Sequence, residues 1–135
     1  MNATTIEHLA LATVTGSLPF PGIVGRLIEE GVEYYVVDYR SLQFRFYGAQ
    51  GGVVEAPLAI EGLPSVQDVF DLPGLQAAIL DSQTQGQKFR DFSRRAMSAG
   101  VQSYYAFLRG KRVTYLGRQG DQHVERFPGA APTGA

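Results

Sequence analysis

GVEYYVVDYRSLQFRFYGAQG, residues Gly31–Gly51, is followed 69 residues later by GVQSYYAFLRGKRVTYLGRQG, residues Gly100–Gly120. This pair defines the repeating unit of the fold. Aligned without a gap, residues 20–51 and 89–120 share nine of thirty-two positions, where chance gives about two. The identities are Phe20/Phe89, Arg26/Arg95, Gly31/Gly100, Val32/Val101, Tyr35/Tyr104, Arg40/Arg109, Gly48/Gly117, Gln50/Gln119 and Gly51/Gly120. The shared glycines carry the most weight, because they mark backbone turns rather than composition.

Each copy reads as a helix followed by a hairpin. Phe20, Ile23, Val24, Leu27 and Ile28 recur at helical spacing, as do Phe89, Phe92, Ala96 and Met97. Gly31 and Gly100 then stop the helices in the left-handed conformation. Tyr35, Val37, Tyr39, Leu42, Phe44 and Phe46 share one face if Arg40-Ser41 is a two-residue turn, and Arg109-Gly110 turns the second hairpin. GAQGG and GRQGD lead to short third strands, Val53-Val54-Glu55 and His123-Val124-Glu125, which places Glu55 opposite Glu125 in the repeat. A further helix precedes each unit. The first covers about Thr5 to Thr15, with Thr4 and Glu7 as a capping box. The second opens at Asp71-Leu72-Pro73 and carries Leu75, Ile79 and Leu80. The expected fold class is α+β, an internal duplication of a helix-helix-three-stranded antiparallel meander, its halves related by a pseudo-twofold axis. A single domain spans 1–128, with repeats at about 2–57 and 71–128, a linker at 58–70 and a flexible tail at 129–135.

Composition narrows the function. The chain has 135 residues, 44% hydrophobic and 19% charged, with a net charge of −1. That suits one folded domain and lacks the basic excess of a nucleic-acid binder, so no nucleic-acid partner is expected. No cysteine is present, which removes disulfides and thiolate metal sites and favours a cytoplasmic location. LALATVTGSL lacks the basic flank of an export signal, and no apolar run is long enough to span a membrane, so no membrane partner is expected.

FRDFSRRAMSAGVQSYYAFLRGKRVTYLGRQGDQHVERFP resembles an uncharacterised bacterial family, domain of unknown function 1398 (YbcV-like), some of whose members are labelled phage envelope proteins. FPGIVGRLIEEGVEYYVVDY is similar to the family's first half, so the resemblance covers nearly the whole chain. AGV, the GRQGD turn and HVERFP are its most specific parts. It implies an α+β fold and no established activity. The family pattern places cysteine near Ser93 or Val101 and histidine near Val36. This chain has neither, so a role requiring them does not extend here.

For chemistry, His123 and Glu125 lie two apart on a strand and point to one face, with Tyr115 nearby. They offer general acid–base chemistry, or a polar pair at a strand end. Two ligands fall short of the three or four a metal needs, so no metal and no cofactor is expected. Asp38 and Arg45 lie diagonally on paired strands and read as a salt bridge. Arginines and lysines of the second copy are diluted by Asp91, Asp121 and Glu125 and read as a solvated surface. GAQGG and GRQGD lack the Gly-Lys-Ser/Thr ending of a phosphate loop. Tyr35 and Tyr104 read as structural. Tyr34, Tyr47, Tyr105, Phe107 and Leu116, with Val36, lie opposite the core face and are still apolar, so something must cover them. The resulting expectation is a non-enzymatic small-molecule- or protein-binding module, a homodimer joined through that face. The alternative is an enzyme using His123, Glu125 and Tyr115.

Overall fold

The computed structural model describes residues 1–128; the expected tail at 129–135 lies outside the described residues. The elements run α1 (Ala3–Thr15), α2 (Phe20–Glu29), β1 (Val32–Asp38), β2 (Gln43–Gly48), β3 (Val53–Pro57), then α3 (Leu72–Thr84), α4 (Phe89–Ser98), β4 (Val101–Phe107), β5 (Arg112–Gly117) and β6 (Gln122–Arg126). Every element of the second half begins and ends 69 residues after its counterpart in the first. The fold is α+β and the duplication is complete.

The six strands form one antiparallel sheet in the order β3-β2-β1-β4-β5-β6. Each meander pairs its strands locally, and β1 meets β4 at the centre. Their register puts Val36 opposite Tyr105, residues that are repeat equivalents. Tyr34 opposes Phe107 and Asp38 opposes Ser103, so the seam is symmetric about the Val36/Tyr105 pair. An irregularity between Val32 and Tyr34, repeated between Val101 and Ser103, rephases the strands. Val32 and Val101 therefore join the buried cluster although they are even-spaced from the outward Tyr34 and Ser103.

One core holds both halves. Ile6, Leu9, Ile23 and Leu27 from the first helix pair, and Leu75, Ile79, Phe92 and Met97 from the second, meet the inward strand residues Tyr35, Val37, Phe44, Phe46, Tyr104 and Tyr115 in a single cluster. The outward residues of the central strands do not belong to it. All four helices thus lie on one side of the sheet. Tyr39 ties the halves by a polar contact as well: its buried hydroxyl donates to Ser93 Oγ at 2.9 Å.

Several local expectations change. Asn2, not Thr4, caps α1, its side chain accepting from the Thr5 N–H. Asp71 caps α3 as expected, accepting from Gly74 N–H. The hairpin connections are four residues long, because Asp38 opposes Gln43 and Phe107 opposes Arg112. Leu42 and Lys111 take positive φ, 57° and 53°, and Leu42 is exposed rather than in the core. Asp38 Oδ1 fixes the first connection by accepting from the backbone N–H groups of Arg40 and Ser41. Phe20, Ile28 and Leu80 also face solvent, so the buried helical stripes are narrower than their apolar spacing. Glu55 opposes Arg45 and Glu125 opposes Val113. The repeat equivalent of Glu125 is therefore Ala56, and the two glutamates face opposite sides of the sheet. A one-residue slip in a strand reverses the face.

The linker packs closely on the second half. Gln67 N–H donates to Met97 O and Asp71 N–H to Ala99 O. Gly100 has φ 89°, and a Cβ there would fall on the Val69 carbonyl oxygen; its equivalent Gly31, φ 83°, has nothing within 4 Å. The same substitution therefore separates strain from crowding. Gly31→Ala should cost about 1–2 kcal/mol for the left-handed backbone alone. Gly100→Ala should cost more than about twice that in urea denaturation, because the linker must also move. Equal losses at the two positions would show that the linker contact contributes nothing.

Candidate functional site

The outward face of the sheet carries an aromatic ladder. Tyr47, Tyr34 and Phe107 lie in one row across β2, β1 and β4. The Tyr34 and Tyr47 rings stack with centroids 4.7 Å apart and planes 16° apart, and Tyr34 lies 5.6 Å from Phe107 and 6.3 Å from Tyr105. The 4.7 Å separation matches the distance between strands, so neighbouring rings stand side by side on edge and present rims to the outside. Arg45 Nε donates to the Tyr47 hydroxyl at 3.3 Å and reaches Asp38 at 3.6 Å, the diagonal pair expected. For Asp38, burial pushes the carboxyl up, but the Ser41 and Arg40 N–H groups and the Arg45 charge outweigh it and hold its pKa below the ordinary value. Leu116 shares this face but sits in another row, opposite Ser103 and Gln122. The pseudo-symmetry maps the Tyr47-Tyr34-Phe107 row onto Leu116, Ser103 and Asp38, so one end of the face is aromatic and the other largely polar. Four of the five expected interface residues meet; Leu116 stands apart.

The opposite side of the sheet holds the larger opening. A cleft of about 890 Å³ runs between the two helix pairs. The same positions of each repeat line it: Phe20 and Phe89, Ile23 and Phe92, Tyr35 and Tyr104. Symmetry ends at the floor, where Val113, Tyr115 and Glu125 of β5 and β6 are reached but their counterparts in β2 and β3 are not. The cause is the placement of the first helix of each pair. α1 packs on β3, whereas α3 packs on α4 and makes no comparable contact with β6. The inner surface of β5 and β6 is left open, and Phe20 reaches across its edge to meet Phe127 in an edge-to-face contact at 6.0 Å. A smaller pocket of about 250 Å³ beside Met1 and Gly48 is lined by no titratable side chain.

Three tyrosines give the cleft its polar character. Tyr35, Tyr104 and Tyr115 are 5%, 7% and 6% exposed, yet all three line it. Among the described residues none of their hydroxyls has a hydrogen-bond partner, unlike Tyr39 with Ser93. None of the three is a fully buried polar atom left without a partner, so the hydroxyls keep contact with the cleft's solvent and are free to donate to a molecule that enters it. Burial raises all three phenols above their ordinary value of 10.0, with neighbouring tyrosines adding to it for Tyr104 and Tyr115 and Glu125 adding for Tyr115. They are neutral donors at any physiological pH.

The expected acid–base set is assembled at one wall of this cleft. His123 Nε2 and Glu125 Oε1 are 3.0 Å apart, and the His123 ring stacks on Tyr115 with centroids 6.3 Å apart. Tyr115 and Glu125 line the cleft; His123 stands behind them. Among the described residues no group of three or more His, Cys, Asp and Glu side chains could hold a metal ion, and no helix is long and apolar enough to cross a membrane. Tyr35 and Tyr104 were not among the expected site residues. The signal for them was available: a repeated core position occupied twice by tyrosine rather than phenylalanine brings two hydroxyls into the interior, and each needs a partner.

No protein-family model matches the chain, and no curated protein matches it.

The buried phenols bear on alkaline stability. Unfolded, they ionise near 10.0; folded, they ionise higher. Their contribution is complete below pH 10 and is lost as the pH rises above it, because the folded state then holds more protons than the unfolded one. In an alkaline titration, the near-ultraviolet tyrosinate absorbance of these residues should appear together with loss of helical circular dichroism. Their ionisation in a protein still folded would contradict the burial.

Proposed function

We propose that this chain is a non-enzymatic cytoplasmic module that binds a small molecule in the cleft between its two repeats and acts as a homodimer. The observation that carries the reading is the cleft itself: about 890 Å³, largely apolar, and lined by three nearly buried tyrosines whose hydroxyls have no partner among the described residues. Size and lining are those of small-molecule sites, where a few placed polar groups orient a ligand inside an apolar wall. Kinship with domain of unknown function 1398 is part of the same proposal and rests on the AGV, GRQGD and HVERFP motifs.

The competing reading is general acid–base catalysis by His123, Glu125 and Tyr115. The 3.0 Å His123–Glu125 contact at the cleft wall favours it. Against it, burial keeps Tyr115 protonated, which denies it the role of base near neutral pH. Glu125 already faces His123, and among the described residues no nucleophile is hydrogen-bonded to either. The pair suits orientation of the wall better than turnover.

Neighbouring residues on β5 test the site. Val113 lines the cleft, whereas Thr114 faces the other side of the sheet, opposite Tyr105. Val113→Trp should abolish the fluorescence enhancement of an apolar naphthalene dye, while Thr114→Trp leaves it unchanged. The reverse pattern would move binding to the outward face.

The homodimer rests on the one-sided placement of the helices. With all four on the inner side, no helix or strand among the described residues lies over Tyr34, Tyr47, Tyr105 and Phe107. A second copy related by a twofold axis would cover the ladder. Phe107→Asp should shift the mass measured by light scattering from dimer to monomer. A wild-type protein monomeric at high micromolar concentration would refute the dimer.

A further inference from the structure

The charged and polar groups around the cleft select among ligands, and the inference rests on the cleft being the binding site. We propose that the ligand is an uncharged, mostly apolar molecule bearing at least one oxygen acceptor, such as a ketone, ester or amide carbonyl, and that this oxygen accepts from one or two of the Tyr35, Tyr104 and Tyr115 hydroxyls.

The floor is a set of donors. The three tyrosines are more than nine-tenths buried as residues, line the cleft, and their hydroxyls have no acceptor in the protein among the described residues. A carbonyl oxygen, with two lone pairs, accepts from up to two of them. Of the other polar side chains along the cleft, Gln83 is exposed and Gln87 is committed elsewhere: its Nε2 donates to Ala78 O and Ser82 Oγ, and its Oε1 accepts from Arg95. The fixed charges favour neither sign. Glu125 lies at one wall with His123 against it, and Lys88 and Arg126 lie exposed at the rim. A carboxylate brought to the tyrosines would approach Glu125 and lose its hydration with no cation beside it on the floor. An ammonium could donate to the tyrosine oxygens, but the carboxylate at the wall, Glu125, is already engaged by His123. Burying either charge unpaired costs far more than burying a carbonyl that receives hydrogen bonds. The Phe20, Phe89 and Phe92 rings that complete the wall suit a flat ring system.

A matched series of naphthalenes tests this: 2-acetylnaphthalene, 2-ethylnaphthalene, 2-naphthoate and 2-naphthylmethylammonium, titrated by isothermal calorimetry against the intact protein. The expected order places 2-acetylnaphthalene about fivefold to tenfold tighter than 2-ethylnaphthalene, the size of one well-made hydrogen bond, and both charged compounds weaker than either. Tyr35→Phe, Tyr104→Phe and Tyr115→Phe each keep the ring, and at least one of them should reduce the acetyl preference without weakening 2-ethylnaphthalene; loss at none of the three would overturn the assignment of the donors. Tyr39→Phe, whose hydroxyl serves Ser93 rather than the cleft, should preserve it. Three separate positions keep the test decisive if one variant fails to fold. Equal binding of the acetyl and ethyl compounds, or tighter binding of a charged one, would overturn the ligand class while leaving the cleft a binding site. Binding of none of the four would overturn the cleft reading as well.

Discussion

The antiparallel pairing of β1 with β4 is the contact on which the rest of the structure depends. Alone, each three-stranded meander would expose a long strand edge, and each half is too short to bury a sufficient core. Joining the two edges removes both problems. It makes a continuous six-stranded sheet and brings both helix pairs over one inner surface. The pairing is symmetric about Val36 and Tyr105, so the two repeats meet as two subunits would, within one chain.

Both surfaces of interest follow from that seam and from departures from its symmetry. On the outward side, equivalent positions carry different residues, so an aromatic row at one end becomes Leu116, Ser103 and Asp38 at the other. On the inward side, equivalent helices pack differently. α1 covers β3, while α3 leaves the inner face of β6 open, and the cleft occupies that space. Duplication supplied the frame; divergence of individual side chains and of one helix position supplied the site.

Much of the architecture was legible because it is written twice. The glycines at Gly31 and Gly100, and at Gly48 and Gly117, mark the same turns, and strand alternation separates Tyr34 from Tyr35 without reference to packing. Local turn geometry was less legible. Leu42 looked like a core residue because a two-residue turn was assumed; a four-residue connection with a left-handed leucine shifts it to solvent. The glutamates Glu55 and Glu125 looked equivalent because each ends a short strand, yet the ungapped offset of the repeat sets Glu55 against Val124. Of the site, His123, Glu125 and Tyr115 could be associated from strand spacing alone. The cleft could not, since it depends on how α3 sits relative to β6, a packing choice with no local signature. Tyr35 and Tyr104 carried a chemical clue, their hydroxyls, that apolar periodicity does not register.

The most direct test is a crystal structure of protein purified from cells without added ligand, inspected between the helix pairs. The account predicts electron density for a small uncharged molecule in the cleft, within hydrogen-bonding distance of at least one of Tyr35, Tyr104 and Tyr115. A cleft closed by the protein's own side chains, with the three hydroxyls bonded to protein acceptors, would contradict it.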